Sequence, residues 1–320
     1  MDFEQLPDLA RRDLGGAVLT ANDEAFAARH NLITPGPAVF DPTAFGPDGK
    51  IYDGWETRRR REPGHDTAEI RLGTSGIVRG IVIDTAFFVG NYPPEAAVEG
   101  LAGDGTWVEL VPRSDIKGDT ENVFVVTCPQ PVTRVRLRIF PDGGVARLRV
   151  YGEATPDPQL VDALGTVDLA AIELGGRVTA CSDGFFGSPN NLLLPGPARS
   201  MGEGWETARR RDDGHEHVEI ALACEGTIAV AELDTSWYLH NAPGWATLTG
   251  LVDGVWHELL PHTALEPDAR NRFVLTDVPP CTAVRLDIHP DGGVARLRLH
   301  GTPTDRGRAA LATRWSGDPR

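Results

Sequence analysis

Polar and apolar residues alternate along much of the chain, and this period of two belongs to half-buried strands rather than helices. From Val132 to Phe140, Val135, Leu137 and Ile139 point one way while Arg134, Arg136 and Arg138 point the other. Over 145–151, Ala146, Leu148 and Val150 alternate with Arg147 and Arg149. The Pro141-Asp-Gly-Gly144 between them supplies residues that tolerate positive φ, which predicts a hairpin with a four-residue loop. Shorter apolar runs at 69–72, 77–84, 107–110 and 123–126 are each bounded by Gly, Pro, Asn or Asp. Helical periodicity is scarce. Many short strands at this spacing predict an all-β chain built of antiparallel β-sandwiches.

The pattern occurs twice. Gly54-Trp-Glu-Thr57, followed by Arg59, Arg60, Arg61 and Gly64-His65, returns as Gly204-Trp-Glu-Thr207 with Arg209, Arg210, Arg211 and Gly214-His215. The phrase from Pro141 to Arg149 returns unchanged from Pro290 to Arg298. The sequence thus predicts two tandem repeats, 8–152 and 168–301. Residues 153–167, with Pro156-Asp-Pro158, read as a linker, and 302–320 as a poorly ordered polar tail. The first repeat carries an insertion within 40–53, rich in Pro, Gly and Asp, which reads as a loop.

A length of 320 residues agrees with two domains, each long enough to bury its own core. The net charge of −15 argues against a nucleic-acid partner, which is bound by neutralising phosphates. No apolar run is long enough to cross a bilayer, and the N-terminus lacks a basic start and apolar core, so the expected location is the cytoplasm. Cys128, Cys181, Cys224 and Cys281 show no C-x-x-C spacing and read as free thiols. Lys50 and Lys117 are the only lysines, so nearly all positive charge is guanidinium, suited to bidentate carboxylate recognition.

The run from Asp53 to Arg61 with Gly64-His-Asp66, Asp84-Thr85, Gly90-Asn-Tyr-Pro93 and the run from Phe140 to Gly152 resembles the allantoicase family. The opening Leu14-Gly-Gly16 with Asn31-Leu32 and Pro35-Gly36 is similar to the same family, so the resemblance covers both repeats. It implies jelly-roll sandwiches of the galactose-binding or discoidin-like kind, a homo-oligomer, and hydrolysis of allantoate to ureidoglycolate and urea.

Such a reaction needs a clamp for one carboxylate, partners for two ureido groups, and proton transfer to a departing nitrogen. Arg59, Arg60, Arg61, Arg209, Arg210 and Arg211 are candidate clamps, with Arg147 and Arg296 as alternatives; the bland reading of each is solvated charge. His65 and His215 are the only histidines at matching positions and are candidate acids or bases, or else turn caps. Glu56 and Glu206, each beside a tryptophan, are candidate general acids, or partners of a nearby arginine. Asp84 and Asp234 end predicted strands, and Asn91 and Asn241 in the next loops match a ureido group's donor and acceptor needs; all four are also ordinary turn formers. Trp55 and Trp205 read as core.

Thr67, Gly90, Val108, Arg113, Phe140 and Tyr151 correspond to histidines in the second repeat. No cofactor is required by this reading. His215-Glu-His217, which would put two imidazoles on one strand face, keeps a divalent metal as the alternative. The competing functions are a non-catalytic carbohydrate-binding sandwich and a hydrolase of a related ureide.

Overall fold

The computed structural model describes residues 3–47 and 49–316. Contacts divide the chain after Thr155 into two compact units, the second being Pro156–Trp315. In the first unit the strands are β1 Ala17–Ala21, β2 Phe45–Gly46, β3 Gly49–Lys50, β4 Trp55–Glu56, β5 Asp66–Asp84, β6 Glu95–Ala102, β7 Trp107–Asp115, β8 Glu121–Val125, β9 Val132–Phe140, β10 Gly144–Val145 and β11 Arg147–Ala154.

β5 organises the unit. Through Arg71 it pairs antiparallel with β1 and β9; after a register break between Arg71 and Gly76 it pairs with β11 and β8 instead. β6 and β7 extend the first layer in the order β1-β5-β9-β6-β7. One strand of 19 residues therefore serves both layers of an antiparallel β-sandwich. At the turn between layers Gly73 lies against the Leu14 carbonyl, where a Cβ would stand 2.5 Å from the oxygen. Between the layers Ile70, Ile81, Ile83, Leu137, Ile139 and Leu148 are fully buried. Each contributes about 1.5–3 kcal/mol by leaving water.

The second unit repeats the plan: α1 Pro158–Leu164, β12 Val167–Asp168, β13 Arg177–Cys181, β14 Trp205–Glu206, β15 Glu216–Asp234, β16 Trp245–Val252, β17 Val255–Ala264, β18 Arg270–Val274, β19 Cys281–His289, β20 Gly293–Val294, β21 Arg296–Pro303 and α2 Asp305–Trp315. Here β15 is the strand held in common, flanked by β13 and β19 and then by β21 and β18.

Three expectations need correction. β9 has the predicted bounds, but it does not form a hairpin with the strand that follows. β9 pairs with the first half of β5 and with β6, β11 pairs with the second half of β5, and Gly144–Val145 pair with β4. Pro141-Asp-Gly-Gly144 is a crossing between layers; its turn-forming residues signal a reversal without naming the strand's partner. The expected linker holds a helix, α1, because Asp157 caps it through Gln159 N at 2.9 Å and Pro158 supplies a preset first turn. The tail forms α2, which buries Gly307 and Leu311 and contacts α1 and β15. The structural boundary at Thr155 accordingly assigns most of 153–167 to the second unit.

The insertion in the first repeat folds into β2 and β3 and an aromatic stack. Phe40 lies on Tyr52 and Phe87, and Tyr52 on Phe88, at centroid separations of 5.3, 5.5 and 4.9 Å. In the second repeat Tyr238 stands where the first has Phe88, and its hydroxyl donates to the Met201 carbonyl at 2.7 Å.

Candidate active site

The repeated phrases tie several loops into one rim. Trp55 is buried and donates its indole N–H to the Asp23 carbonyl at 2.7 Å. The Thr57 hydroxyl accepts from Gly143 N at 3.2 Å, Arg60 N donates to Asp142 Oδ2 at 2.8 Å, and Gly144 N donates to the Asn91 carbonyl at 2.7 Å. Asn31 closes the set by donating to the Gly54 carbonyl at 3.0 Å. The same bonds recur around Trp205, Thr207, Arg210 and Gly293 in the second repeat.

On this rim Asn91 Nδ2 donates to Glu56 Oε1 at 2.7 Å. Burial pushes the Glu56 carboxyl above its usual range, and the Asn91 bond opposes that only in part. Asn241 and Glu206 form the same pair.

The same repeat carries a cleft of about 680 Å³ lined by Asn22, Asp23, Glu62, Asp66 and the run Arg58, Arg59, Arg60, Arg61. Arg60 Nη1 bonds Asp66 Oδ1 at 2.5 Å, and Asn22 Nδ2 donates to the same oxygen at 2.8 Å. Arg58 pairs with Asp23 at 2.8 Å. A second groove of about 530 Å³ carries His65, Glu69, Glu99, Arg136 and Arg138. Burial lowers the His65 pKa, and the positive charges of Arg138 and Arg60 lower it further. His65 thus stays neutral to a lower pH than an ordinary imidazole, and its ring packs on Phe140 at 5.1 Å.

The candidates are therefore not gathered at one point. Glu56 and Asn91 are paired, Arg59, Arg60 and Arg61 line one cleft, and His65 lines the other. Arg147 and Arg296 are structural, correcting their reading as alternative clamps. Arg147 is 1% exposed, and its donors go to the Gly36, Pro37, Asp53 and Ala146 carbonyls and to Asp53 Oδ2 at 2.6 Å. Arg296 likewise bonds the Gly196, Glu203 and Ala295 carbonyls. Strand alternation puts them outward, but loops without regular structure cover that face, and their carbonyls require donors. Asp84 and Asp234 are also buried, accepting from Ala86 N and Ser236 N at 2.8 and 2.9 Å as turn formers. Neither is aimed at a described cleft.

Asn22, Asp23 and Arg58 also line the arginine cleft, and the motif reading does not single them out. The available signal was Asp23, which has a counterpart in Asp183 just after the matching short strand.

The second repeat differs at the rim. His215 bonds Asp287 at 2.9 Å and packs on His289 at 4.6 Å, while His289 meets His262 at 4.8 Å. Among the described residues no three His, Cys, Asp or Glu side chains are grouped to hold a metal ion.

Two β-sandwich units, the first with guanidinium, carboxyl and imidazole groups around polar clefts, define a tandem-repeat β-sandwich protein. The allantoicase-repeat profile matches residues 7–155 and 167–304, and the chain belongs to the allantoicase family. It is 53% identical to a probable allantoicase of Nocardia farcinica, covering 93% of this chain and 95% of the relative. A probable allantoicase of Streptomyces coelicolor is 46% identical, with 98% and 90% covered. The crystal structure of allantoicase from Saccharomyces cerevisiae superposes with a TM-score of 0.83 at 33% identity, over 94% of this chain and 96% of that one.

Proposed function

We propose that the chain hydrolyses allantoate to ureidoglycolate and urea, with the chemistry carried by the first repeat. Family membership over nearly the whole length gives the reaction. The observation that carries the assignment within the chain is the arginine-lined cleft of the first repeat, with Glu56 just ahead of the arginine run and His65 next to the cleft residue Asp66 in the chain, two groups whose burial favours their neutral forms.

The guanidinium groups of the cleft hold the substrate carboxylate. Glu56, kept toward its protonated form, gives a proton to the departing urea nitrogen. Neutral His65 takes a proton from water, whose oxygen bonds to the central carbon as the carbon–nitrogen bond breaks. The two transfers balance, and the products are one alcohol and one urea. Asn91 positions Glu56 by fixing one of its oxygens.

The remaining surface supports a homo-oligomer in the cytoplasm. Phe185, Phe186, Trp237 and Leu239 are exposed and offer apolar area to a second copy. All four cysteines are free, which suits a reducing compartment. A nucleic-acid partner does not fit the charge of −15, and no described helix is long and apolar enough to cross a membrane.

The test is urea release from allantoate by the purified chain. Release well above background is expected; none, from a folded protein that binds a glycan instead, would return the carbohydrate-binding reading.

A further inference from the structure

The two repeats carry the same arginine in different states. In the second, Arg210 turns its Nε–Nη2 edge onto Asp212, with Nε to Oδ1 at 2.8 Å and Nη2 to Oδ2 at 3.0 Å, while Nη1 holds Glu216 at 2.6 Å. That paired bond is how a guanidinium grips a carboxylate from any source. In the first repeat Arg60 Nη1 holds Asp66 in the same way, but Nε is buried and no described residue accepts from it. Asp66 Oδ2 is likewise buried and unbonded.

The cause lies in one methylene exchanged between two acids. Glu62 stands where the second repeat has Asp212, and Asp66 where it has Glu216. The shorter Asp212 folds back onto its arginine, whereas Glu62 is exposed and makes no such bond. A third exchange accompanies these. Asn22 donates to Asp66 Oδ1 and leaves Oδ2 without a partner, while in the second repeat Ser182 bonds Glu216 Oε2 and Arg210 bonds Oε1. Every polar atom of that second carboxylate is thus satisfied. Unbonded buried polar groups cost stability, and in the first repeat both belong to residues lining the cleft.

We propose that the Nε–Nη2 edge of Arg60 is the subsite for the substrate carboxylate and that Asp66 Oδ2 accepts an N–H from the adjoining ureido group. Asp212 is a built-in carboxylate that closes the same subsite in the second repeat, so each chain binds one substrate. A donor edge beside an acceptor oxygen selects a small acid that carries an N–H close to its carboxylate; a simple carboxylate fills half of it. The subsite deepens the allantoate reading and rests on it for the identity of the ligand.

The experiment is calorimetric titration of the full chain with allantoate, alongside urea release. Wild type should bind one allantoate per chain. Arg60→Ala should weaken binding by about a hundredfold, the loss expected for a desolvated charge pair, and Arg210→Ala should bind as wild type. The decisive variant is Glu62→Asp, an exposed change of one methylene that gives Arg60 its own competing carboxylate. It should raise Kd and KM roughly tenfold while kcat stays near the wild-type value, the pattern of lost uniform binding. Asp212→Ala should add a second, weaker binding event. Wild-type binding by Glu62→Asp, or equal losses in Arg60→Ala and Arg210→Ala, would overturn the proposal, as would two equivalent sites in wild type or no binding at all. If wild type binds one allantoate in an Arg60-dependent way yet releases no urea, the hydrolase reading fails and the subsite stands.

Discussion

Asn91 donates to Glu56 across the rim of the first sandwich at 2.7 Å, and this contact holds a carboxyl that burial drives toward its neutral form. Glu56→Gln should preserve the bond to Asn91 and lose the proton. If Glu56 is the general acid, urea release should fall by about 10²–10⁴-fold. The effect on stability follows from linkage. A raised carboxyl pKa in the folded state means that folding is favoured below the ordinary carboxylate value, and the contribution is lost as pH rises through the raised value. The glutamine variant, which never ionises, should therefore melt higher than wild type at neutral pH, with the gap closing in acid. Melting curves taken across pH check this; a gap that widens toward low pH contradicts it.

His65 and His215 occupy matching positions in different company. Burial, with the positive charges of Arg138 and Arg60, holds the His65 pKa below the usual imidazole value, whereas His215 is bonded to Asp287. With neutral His65 as the base, kcat/KM should rise with pH through an inflection below about 6.5. His65→Ala should abolish that inflection and most of the rate. His215→Ala should leave both largely in place, and equal mild losses in the two variants would remove His65 from the mechanism.

Arg147 is a test of structure rather than chemistry. Its removal strands several carbonyls and the Asp53 carboxylate, so Arg147→Ala should cost about 3–5 kcal/mol, read as a lower denaturant midpoint. Arg147→Lys should rescue little, since one ammonium cannot reproduce the planar fork. Normal stability with lost substrate binding would reverse the assignment.

The thiols should react in order of their surroundings. Burial pushes Cys281 up to about 12 and Cys224 to about 11, while Cys181 is exposed. Labelling of the native protein should reach Cys181 first and spare Cys224 and Cys281 until the chain unfolds. Mass spectrometry of timed samples reads the order directly.

The β-sandwich class was legible because alternation in a run such as 132–140 records a face against a core. The pairing was not. The residues at 141–144 make a reversal of direction, and nothing local says whether the next strand returns beside its predecessor or crosses to another layer. The helices were hidden for a related reason: α1 is short, and α2 mixes arginine with alanine and has Gly307 and Leu311 as its only buried residues. At the candidate site, the repeated phrases pointed to this rim but gave equal weight to every polar residue in it. Arg147 and Arg60 look alike in sequence; they differ in whether surrounding carbonyls and carboxylates have already occupied their donors.

Because β5 lies in both layers of the first sandwich, neither sheet can be trimmed away as a separable module. A break near Gly73 would sever the two halves of the structure at once, and any copying of the unit had to reproduce it whole. The exchange of a methylene between the acids at 62 and 66 and those at 212 and 216 lies at the start of this shared strand and leaves the frame beneath it unchanged.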